Sequence, residues 1–306
     1  VQQVYARHKL GMDDRLRFLD KNLEHKIIVF SGGIILAVIA DQIYWKTDQL
    51  ILGYMYGTAA VAVYSVGSQI VNAYQPLGLA VSSVFLPKVS ELWYGKHDMN
   101  ALSELFVKVS RIALYPMLAV LLGFIIFGRD FIRLWAGDGY ELAYWVTVFE
   151  LVPFTVDLSQ NIGLTILQVI NKYDFRAKVY FVAAVLNIVL TIVLAQRFGI
   201  VGAAVSSGVA MIASSGLILN WYYQMRIGLD MTSWWKSVVR ECIPMIALCV
   251  VGVFAWHFFQ GCGWDGLITG LIIWGVAFLL VSYYLCANDY EKHLVSGIVK
   301  KVFRRG

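Results

Sequence analysis

Charge is what this sequence has least of. Only 15% of its 306 residues are Asp, Glu, Lys or Arg, whereas 59% are hydrophobic; soluble domains carry about 25% charged residues. A soluble domain of this length has too little interior to hide so much apolar surface. The chain therefore reads as an integral membrane protein. Cysteine is scarce as well. Cys242, Cys249, Cys262 and Cys286 show no CxxC spacing and no neighbouring histidine cluster, so neither a metal site nor a redox pair is indicated. Also absent are a phosphate-binding Gly-rich loop with lysine, HExxH, GxSxG and a nucleotide fingerprint. That argues against ATP-driven pumping within the chain and against a recognised hydrolase, so neither enzymatic activity nor a cofactor is expected. The net charge of +5 is spread over loops and is no nucleic-acid signal. No signal peptide precedes the first apolar segment. The first residue is Val rather than Met, which suggests a processed form or a fragment.

What is present is a series of long apolar segments. They cover roughly 27–53, 59–86, 103–128, 140–170, 177–196, 199–223, 236–259 and 264–287. Each approaches or exceeds the length of about 20 residues that a membrane helix needs. Barrel strands would be about 10 residues long and alternating. The expectation is an all-α, polytopic bundle of about eight transmembrane helices. Residues 1–26 are polar and mixed in charge; 11–20 read equally well as an interfacial helix or as a solvated lead-in.

Basic residues segregate by loop. With the N-terminus inside, Arg7, Lys9, Arg15, Arg17, Lys21, Lys26, Lys88, Lys96, Lys108, Arg111, Lys172, Arg176, Lys178, Arg226, Lys236, Arg240 and the basic tail all fall on the cytoplasmic side. Only Arg129, Arg133 and Arg197 fall outside. This positive-inside pattern predicts an even number of spans and two cytoplasmic termini.

Polar residues inside the spans are the candidate pathway. The first span carries Asp41, Lys46 and Asp48. A charge at such depth costs roughly 3 kcal/mol, so it is seldom left facing lipid. Asp41 and Asp48 project within about 20° of each other, flanked by Tyr44 and Trp45, and Lys46 points about 140° away. They serve either as a buried packing pair or as the wall of a transport pathway. Whether Lys46 faces a cavity or snorkels stays open. In the second span Tyr64, Ser65, Ser68, Asn72 and Gln75 share an arc of about 100°, and Pro76 follows as a kink. In the fourth, Glu150, Asp157, Asn161 and Gln168 lie within about 40° of one line, interrupted by Pro153, as a water- or substrate-filled face would. Asn187 in the fifth span and the small residues of 199–208 in the sixth read as packing. The seventh and eighth spans look peripheral and lipid-facing, with Trp256, Trp264, Tyr283 and Tyr284 at their boundaries and His257 in an interfacial role.

Several short stretches carry a family resemblance. Asp48-Gln-Leu-Ile-Leu-Gly53 followed by Val63-Tyr64-Ser65 resembles the start of the second half of bacterial polysaccharide flippases, members of the multidrug/oligosaccharidyl-lipid/polysaccharide exporter superfamily. Phe85-Leu-Pro-Lys-Val-Ser90, Gly139-Tyr-Glu-Leu-Ala143 and Gly199-Ile-Val-Gly-Ala-Ala204 continue it in order, over roughly residues 27–224. The resemblance implies two six-helix bundles around a cavity. This chain would then be the C-terminal portion of a fourteen-helix protein: 1–26 a cytoplasmic connection, 27–224 one six-helix lobe, 225–306 two added helices and a basic tail. It further implies movement of undecaprenyl-pyrophosphate-linked oligosaccharide, as in O-antigen and lipopolysaccharide synthesis, across the bacterial cytoplasmic membrane. Alternating access, a coupling proton or Na+, contact with membrane lipids and polysaccharide polymerase machinery as a partner belong to the same picture. Asp41, Asp48, Glu150 and Asp157 would serve as ion sites. Lys46 is then the only cation within these spans for a pyrophosphate, which points to phosphate-binding arginines in the other half. The alternatives are a cation-coupled drug antiporter of the same superfamily, or a membrane-embedded polymerase or glycosyltransferase. The last fits poorly with an outside loop as short as 128–139.

Overall fold

A computed structural model describes residues 42, 46–259, 263–288 and 291–292. Among them the secondary structure is helical throughout, with no strand. Helix α1 covers 46–56, α2 Thr58–Val84, and α3 Leu86–Ser90, which runs into a π-helical turn at Glu91–Lys96. Helix α4 is Met99–Ala136, α5 Leu142–Ser159 and α6 Asn161–Val169. Helix α7 is Asp174–Met211, carried on by π and α turns to Ile227. Helix α8 is Met231–His257 and α9 Trp264–Val281. Expectations that fall on residues 1–41, including Asp41 and the interfacial helix, lie outside the described residues.

Five described helices are long and apolar enough to cross a membrane: α4, α5, the whole of Asp174–Ile227, α8, and α9 with its last turn. The 54 residues of Asp174–Ile227 would extend about 80 Å if straight, far beyond an apolar layer of about 30 Å. They do not run straight. Gly199 adopts φ 61°, ψ −139°, a conformation that L side chains avoid, and the chain reverses there. The contacts prove the reversal: Asn187 accepts from Ser207 at 3.3 Å, Tyr180 meets Ser215 at 3.3 Å, and Phe175 stacks on Tyr222 at 3.9 Å. Partners spread apart in sequence as they recede from Gly199, the ladder of an antiparallel hairpin. Thus α7 is two passes, as the apolar segments 177–196 and 199–223 require. Near the bend a Cβ on Gly202 would sit 2.2 Å from the Leu194 carbonyl oxygen, so only glycine permits that approach.

The polypeptide is inside-out by soluble standards. Phe181, Val185, Val189 and Val193 on α7, Val251 and Phe254 on α8, and Ile272, Ile273 and Leu279 on α9 are exposed. An apolar face of this size belongs in lipid. The polar side chains are inside. Together these features make the chain a multi-pass helical membrane protein.

Packing between spans uses small residues where backbones meet. A Cβ on Gly67 of α2 would clash with Val146 of α5 at 2.8 Å, and one on Gly208 of α7 with the Phe149 carbonyl at 2.7 Å. The Tyr74 hydroxyl of α2 then bridges three helices, donating to the Met117 carbonyl at 3.0 Å and meeting Thr155 Oγ1 at 2.6 Å. Pro76, Pro116, Pro153 and Pro244 all lie within helices. The fourth predicted span is divided: α5 ends at Ser159, Gln160 leaves helical geometry, and α6 begins at Asn161.

One end of the bundle collects the basic residues. Tyr94 donates to the Val169 carbonyl at 3.0 Å. Ser103 accepts from the Asp230 N–H at 2.7 Å. Arg111 reaches Glu291. These contacts place the α3–α4, α6–α7 and α7–α8 connections and the end of α9 at one face. Arg129 and Arg133 lie at the far end of α4, and Arg197 at the hairpin bend. Among the described residues the segregation expected from the loops is therefore present, although Arg111 and Arg176 are drawn into the protein rather than left in solvent.

The expected periphery needs two revisions. Helix α9 is largely exposed, but α8 carries a fully buried carboxylate, Glu241, 3.0 Å from the Arg111 guanidinium. Arg111 also pairs with Glu291 at 3.0 Å, which accepts from Tyr115 at 3.1 Å. A capping box fixes Glu291: it accepts from the Asn288 N–H, and Asn288 Oδ1 accepts from the Glu291 N–H, both at 2.9 Å. Trp256 is not a lipid-facing belt residue either. It is buried, edge-on to Phe127, and donates to Asp130 at 2.8 Å.

Candidate functional site

The polar side chains of the first, second, fourth, fifth and sixth predicted spans meet at Asp48. This carboxylate is buried. Its Oδ2 accepts from the Tyr64 hydroxyl of α2 at 2.9 Å, and also from Ser207 of the second α7 arm. Its Oδ1 accepts from Thr191 at 2.7 Å and from Asn187 Nδ2 at 3.3 Å, both on the first α7 arm. Ser206 bonds Thr191 from behind. Glu150 of α5 also faces the Tyr64 hydroxyl and senses the Asp48 charge. It is buried, and its Oε2 has no hydrogen-bond partner among the described residues.

Local rules explain why these residues converge. Asn187 and Thr191 are one helical turn apart and so share a face. The Gly199 reversal lays Ser206 and Ser207 beside them. Gly67 and Val146 bring α2 and α5 close enough for Tyr64 to lie between Asp48 and Glu150. Two carboxylates thus share one tyrosine in an apolar layer, and the direct partners of Asp48 are neutral. Such an arrangement costs several kcal/mol if both carboxylates are charged. A proton or a small cation between them would remove that cost.

The remaining candidates separate. Lys46 is exposed at the first described turn. Of the second-span stripe, Tyr64 is buried in the node, Ser65, Ser68 and Gln75 are half-buried, and Asn72 is exposed. The fourth-span line does not form one continuous face. Asp157 accepts from Tyr180 at 3.0 Å, Asn161 donates to Ser82 of α2 at 2.8 Å, and Gln168 is exposed beyond the Gln160 break. A single helical line assumed unbroken geometry through Gln160, and the break separates its two ends.

Residues outside the predicted set complete the picture. Asn187, Ser206 and Ser207 read as packing residues in sequence and Thr191 carries no signal there, yet Asn187, Thr191 and Ser207 donate to Asp48 and Ser206 backs Thr191. Arg176 is the other omission. Its guanidinium lies over the Tyr180 ring at 4.3 Å and the Tyr173 ring at 5.4 Å, and donates to the Tyr173 hydroxyl at 2.5 Å. Its Nε is buried with no partner among the described residues. Lys46 is therefore not the only cation associated with these spans. The signal available in sequence was a Tyr173–Arg176–Tyr180 spacing of one turn on either side, which puts aromatic faces beside the guanidinium.

Fold and node together define the class: a polytopic helical membrane protein with a buried carboxylate centre. Comparison with known proteins carries this further. Residues 12–144 match the family model described as "Polysaccharide biosynthesis protein". An uncharacterized membrane protein of Methanocaldococcus jannaschii is 25% identical over 293 residues, 90% of this chain and 52% of the relative. A candidate low-salt glycan biosynthesis flippase of Haloferax volcanii is 22% identical over 61% of this chain and 40% of the relative. A candidate O-antigen transporter of Shigella flexneri is 20% identical over 73% of this chain and 52% of the relative. The chain thus spans about half, or less, of the length of these curated relatives. No solved structure matches it. The family model and the relatives named for flipping and O-antigen transport support a polysaccharide flippase family, as the short sequence signatures imply. These relatives come from archaea as well as a bacterium.

Proposed function

We propose that the chain is part of a flippase of polysaccharide biosynthesis and transports rather than catalyses. The observation that carries this reading is the Asp48 node, a buried carboxylate gripped by neutral donors from α2 and both arms of α7. Kinship with proteins named for flipping supplies the substrate class. The cargo is a lipid-linked oligosaccharide, with undecaprenyl pyrophosphate as the carrier in bacteria. The chain supplies the C-terminal lobe, residues 27–224, with 225–306 as added helices. The basic-rich end is cytoplasmic, and both termini lie there. In bacteria the membrane is the cytoplasmic one, where polymerase machinery would receive the product.

In this reading the Asp48–Tyr64–Glu150 group takes a proton or Na+ and couples its occupancy to alternating access. The α7 hairpin is the element that responds, because its two arms supply Asn187, Thr191 and Ser207. Ser65, Ser68, Asn72 and Gln75 line the substrate side of α2. Arg176, at the basic end, offers its guanidinium to the pyrophosphate.

Complementation tests the reading. A cell lacking its repeat-unit flippase receives the full-length gene containing this segment, wild type or with Asp48→Asn, Glu150→Gln or Arg176→Gln. Surface polysaccharide is scored against the membrane level of each protein. Rescue by wild type that Asp48→Asn abolishes at normal expression is the expected result. Rescue indifferent to all three changes would reduce the node to packing. No rescue across several glycan types would overturn the flippase reading.

A further inference from the structure

A concavity at the opposite end of the bundle from the basic face has no part in the reading above. Its volume is about 240 Å³, and Arg129, Arg133, Gly137, Glu141, Tyr144 and Trp145 are among the residues that line it. Its depth is set by the aromatic residues around it. Trp135 and Trp145 are 45% and 40% exposed, at the end of α4 and the start of α5, where an aromatic belt marks the boundary between hydrocarbon and headgroups.

The charges in the pocket are of two kinds. Arg129 stands over the Tyr144 ring at 5.0 Å and the Trp145 ring at 5.5 Å, and it has no ion pair among the described residues. Arg133 is already engaged by Asp130 at 3.1 Å, and Asp130 in turn accepts from Trp256. That leaves one uncommitted cation. Glu141 supplies one exposed anion, held in place by the Gly139 N–H at 3.1 Å. The same N–H keeps its carboxyl below the usual range, so it is ionised at neutral pH. The positive φ at Gly137 and Gly139, 91° and 94°, turns the chain so that Glu141 closes the pocket across from α4.

We propose that this pocket binds a zwitterionic phosphoethanolamine headgroup, its phosphate on Arg129 and its ammonium on Glu141. A net-neutral pair of opposite charges at headgroup depth suits a ligand that is itself a neutral pair. An anionic headgroup would satisfy Arg129 and be repelled by Glu141. A choline headgroup has no N–H to donate to the carboxylate. The inference does not depend on what the protein transports.

Native mass spectrometry of the full chain in detergent tests this, with phosphatidylethanolamine, phosphatidylcholine and phosphatidylglycerol as probes. Wild type should retain phosphatidylethanolamine about fivefold more than either competitor, the ratio that one partly exposed charge contact supplies. Glu141→Gln still offers the Gly139 N–H an oxygen, and it should erase the preference over phosphatidylcholine. Arg129→Gln should weaken all three lipids. The thermal midpoint of each variant checks that the fold is kept. Soluble phosphoethanolamine distinguishes the source of the ligand. Displacement of the lipid only at concentrations far above the lipid's own assigns the site to a membrane headgroup; displacement at equal concentration assigns it to the free molecule. Phosphatidylglycerol bound as well as phosphatidylethanolamine, or a preference that survives Glu141→Gln, would overturn the proposal.

Discussion

Replacing Asp48 is the most informative perturbation, because helices α1, α2 and both arms of α7 close on its two oxygens. Asp48→Ala removes every acceptor at once. Thr191 can turn to Ser206 or to the Asn187 oxygen, 3.5 Å away. Among the described residues Tyr64 and Asn187 Nδ2 have no other acceptor at comparable distance, Glu150 beside Tyr64 apart. An interhelical hydrogen bond in a membrane protein averages about 0.6 kcal/mol, but a buried donor left without a partner costs about 1–3 kcal/mol. Two such donors put the loss at about 2–6 kcal/mol. Asp48→Asn keeps one carboxamide oxygen and the same shape, and its N–H groups can donate to the Asn187 oxygen. That change should cost under about 1 kcal/mol. Reversible unfolding of the purified protein in mixed dodecyl maltoside and SDS micelles, followed by circular dichroism, measures both. If alanine costs less than about 1 kcal/mol, or asparagine as much as alanine, Asp48 is not the acceptor that holds these helices together.

Other consequences follow from the same physical rules. Gly202→Ala places a methyl 2.2 Å from the Leu194 carbonyl oxygen; the hairpin must open, at a cost of about 1–3 kcal/mol, read as a lower thermal midpoint with little change at Gly216→Ala, where the nearest atom is 3.6 Å away. Arg111→Met strands Glu241 and Glu291 without their counter-charge and should destabilise by about 3–5 kcal/mol, whereas Arg111→Met combined with Glu241→Gln and Glu291→Gln should recover much of the loss in the same unfolding assay. Asp230 caps α8 by accepting from the Ser233 N–H at 2.9 Å. Bonds from the Ser233 side chain, and then its backbone, lower the Asp230 pKa, so its stabilisation is present above the ordinary Asp value of about 3.9 and is lost as pH falls through the lower folded value. Asp230→Ala should therefore cost about 1 kcal/mol at neutral pH, and wild type and variant should converge under acid, as seen by thermal melts taken across the acid range.

Much of the architecture was legible because membrane helices announce themselves one at a time. Apolar length, the run of basic residues at one set of loops and the small residues after Gly199 are local properties, and among the described residues they appear as five long apolar helices, a basic face and close helix contacts. The residues of the candidate site were legible only where they carried charge in an apolar run, as Asp48 and Glu150 do. In the fourth span helical periodicity presumes an unbroken helix, whereas Gln160 departs from helical geometry between α5 and α6. Asn187 and Ser207 read as packing and Thr191 carried no signal, since nothing local distinguishes a polar side chain that fills space from one that ligates a carboxylate.

The sequence by itself therefore determined that the chain is a membrane protein built of long apolar helices, that its basic residues segregate by loop, and that short stretches resemble polysaccharide flippases. Those follow from the cost of exposing backbone and charge to hydrocarbon, a cost each segment meets alone. Only the tertiary structure decided that Asp48 belongs with Tyr64, Glu150 and the two arms of one hairpin, and that Arg111 and Arg176 are drawn inward. Several of those pairings, such as Asp48 with Thr191 and Arg111 with Glu291, join residues more than a hundred positions apart, and a hydrogen bond is set by where helices pack rather than by what lies beside a residue in the chain.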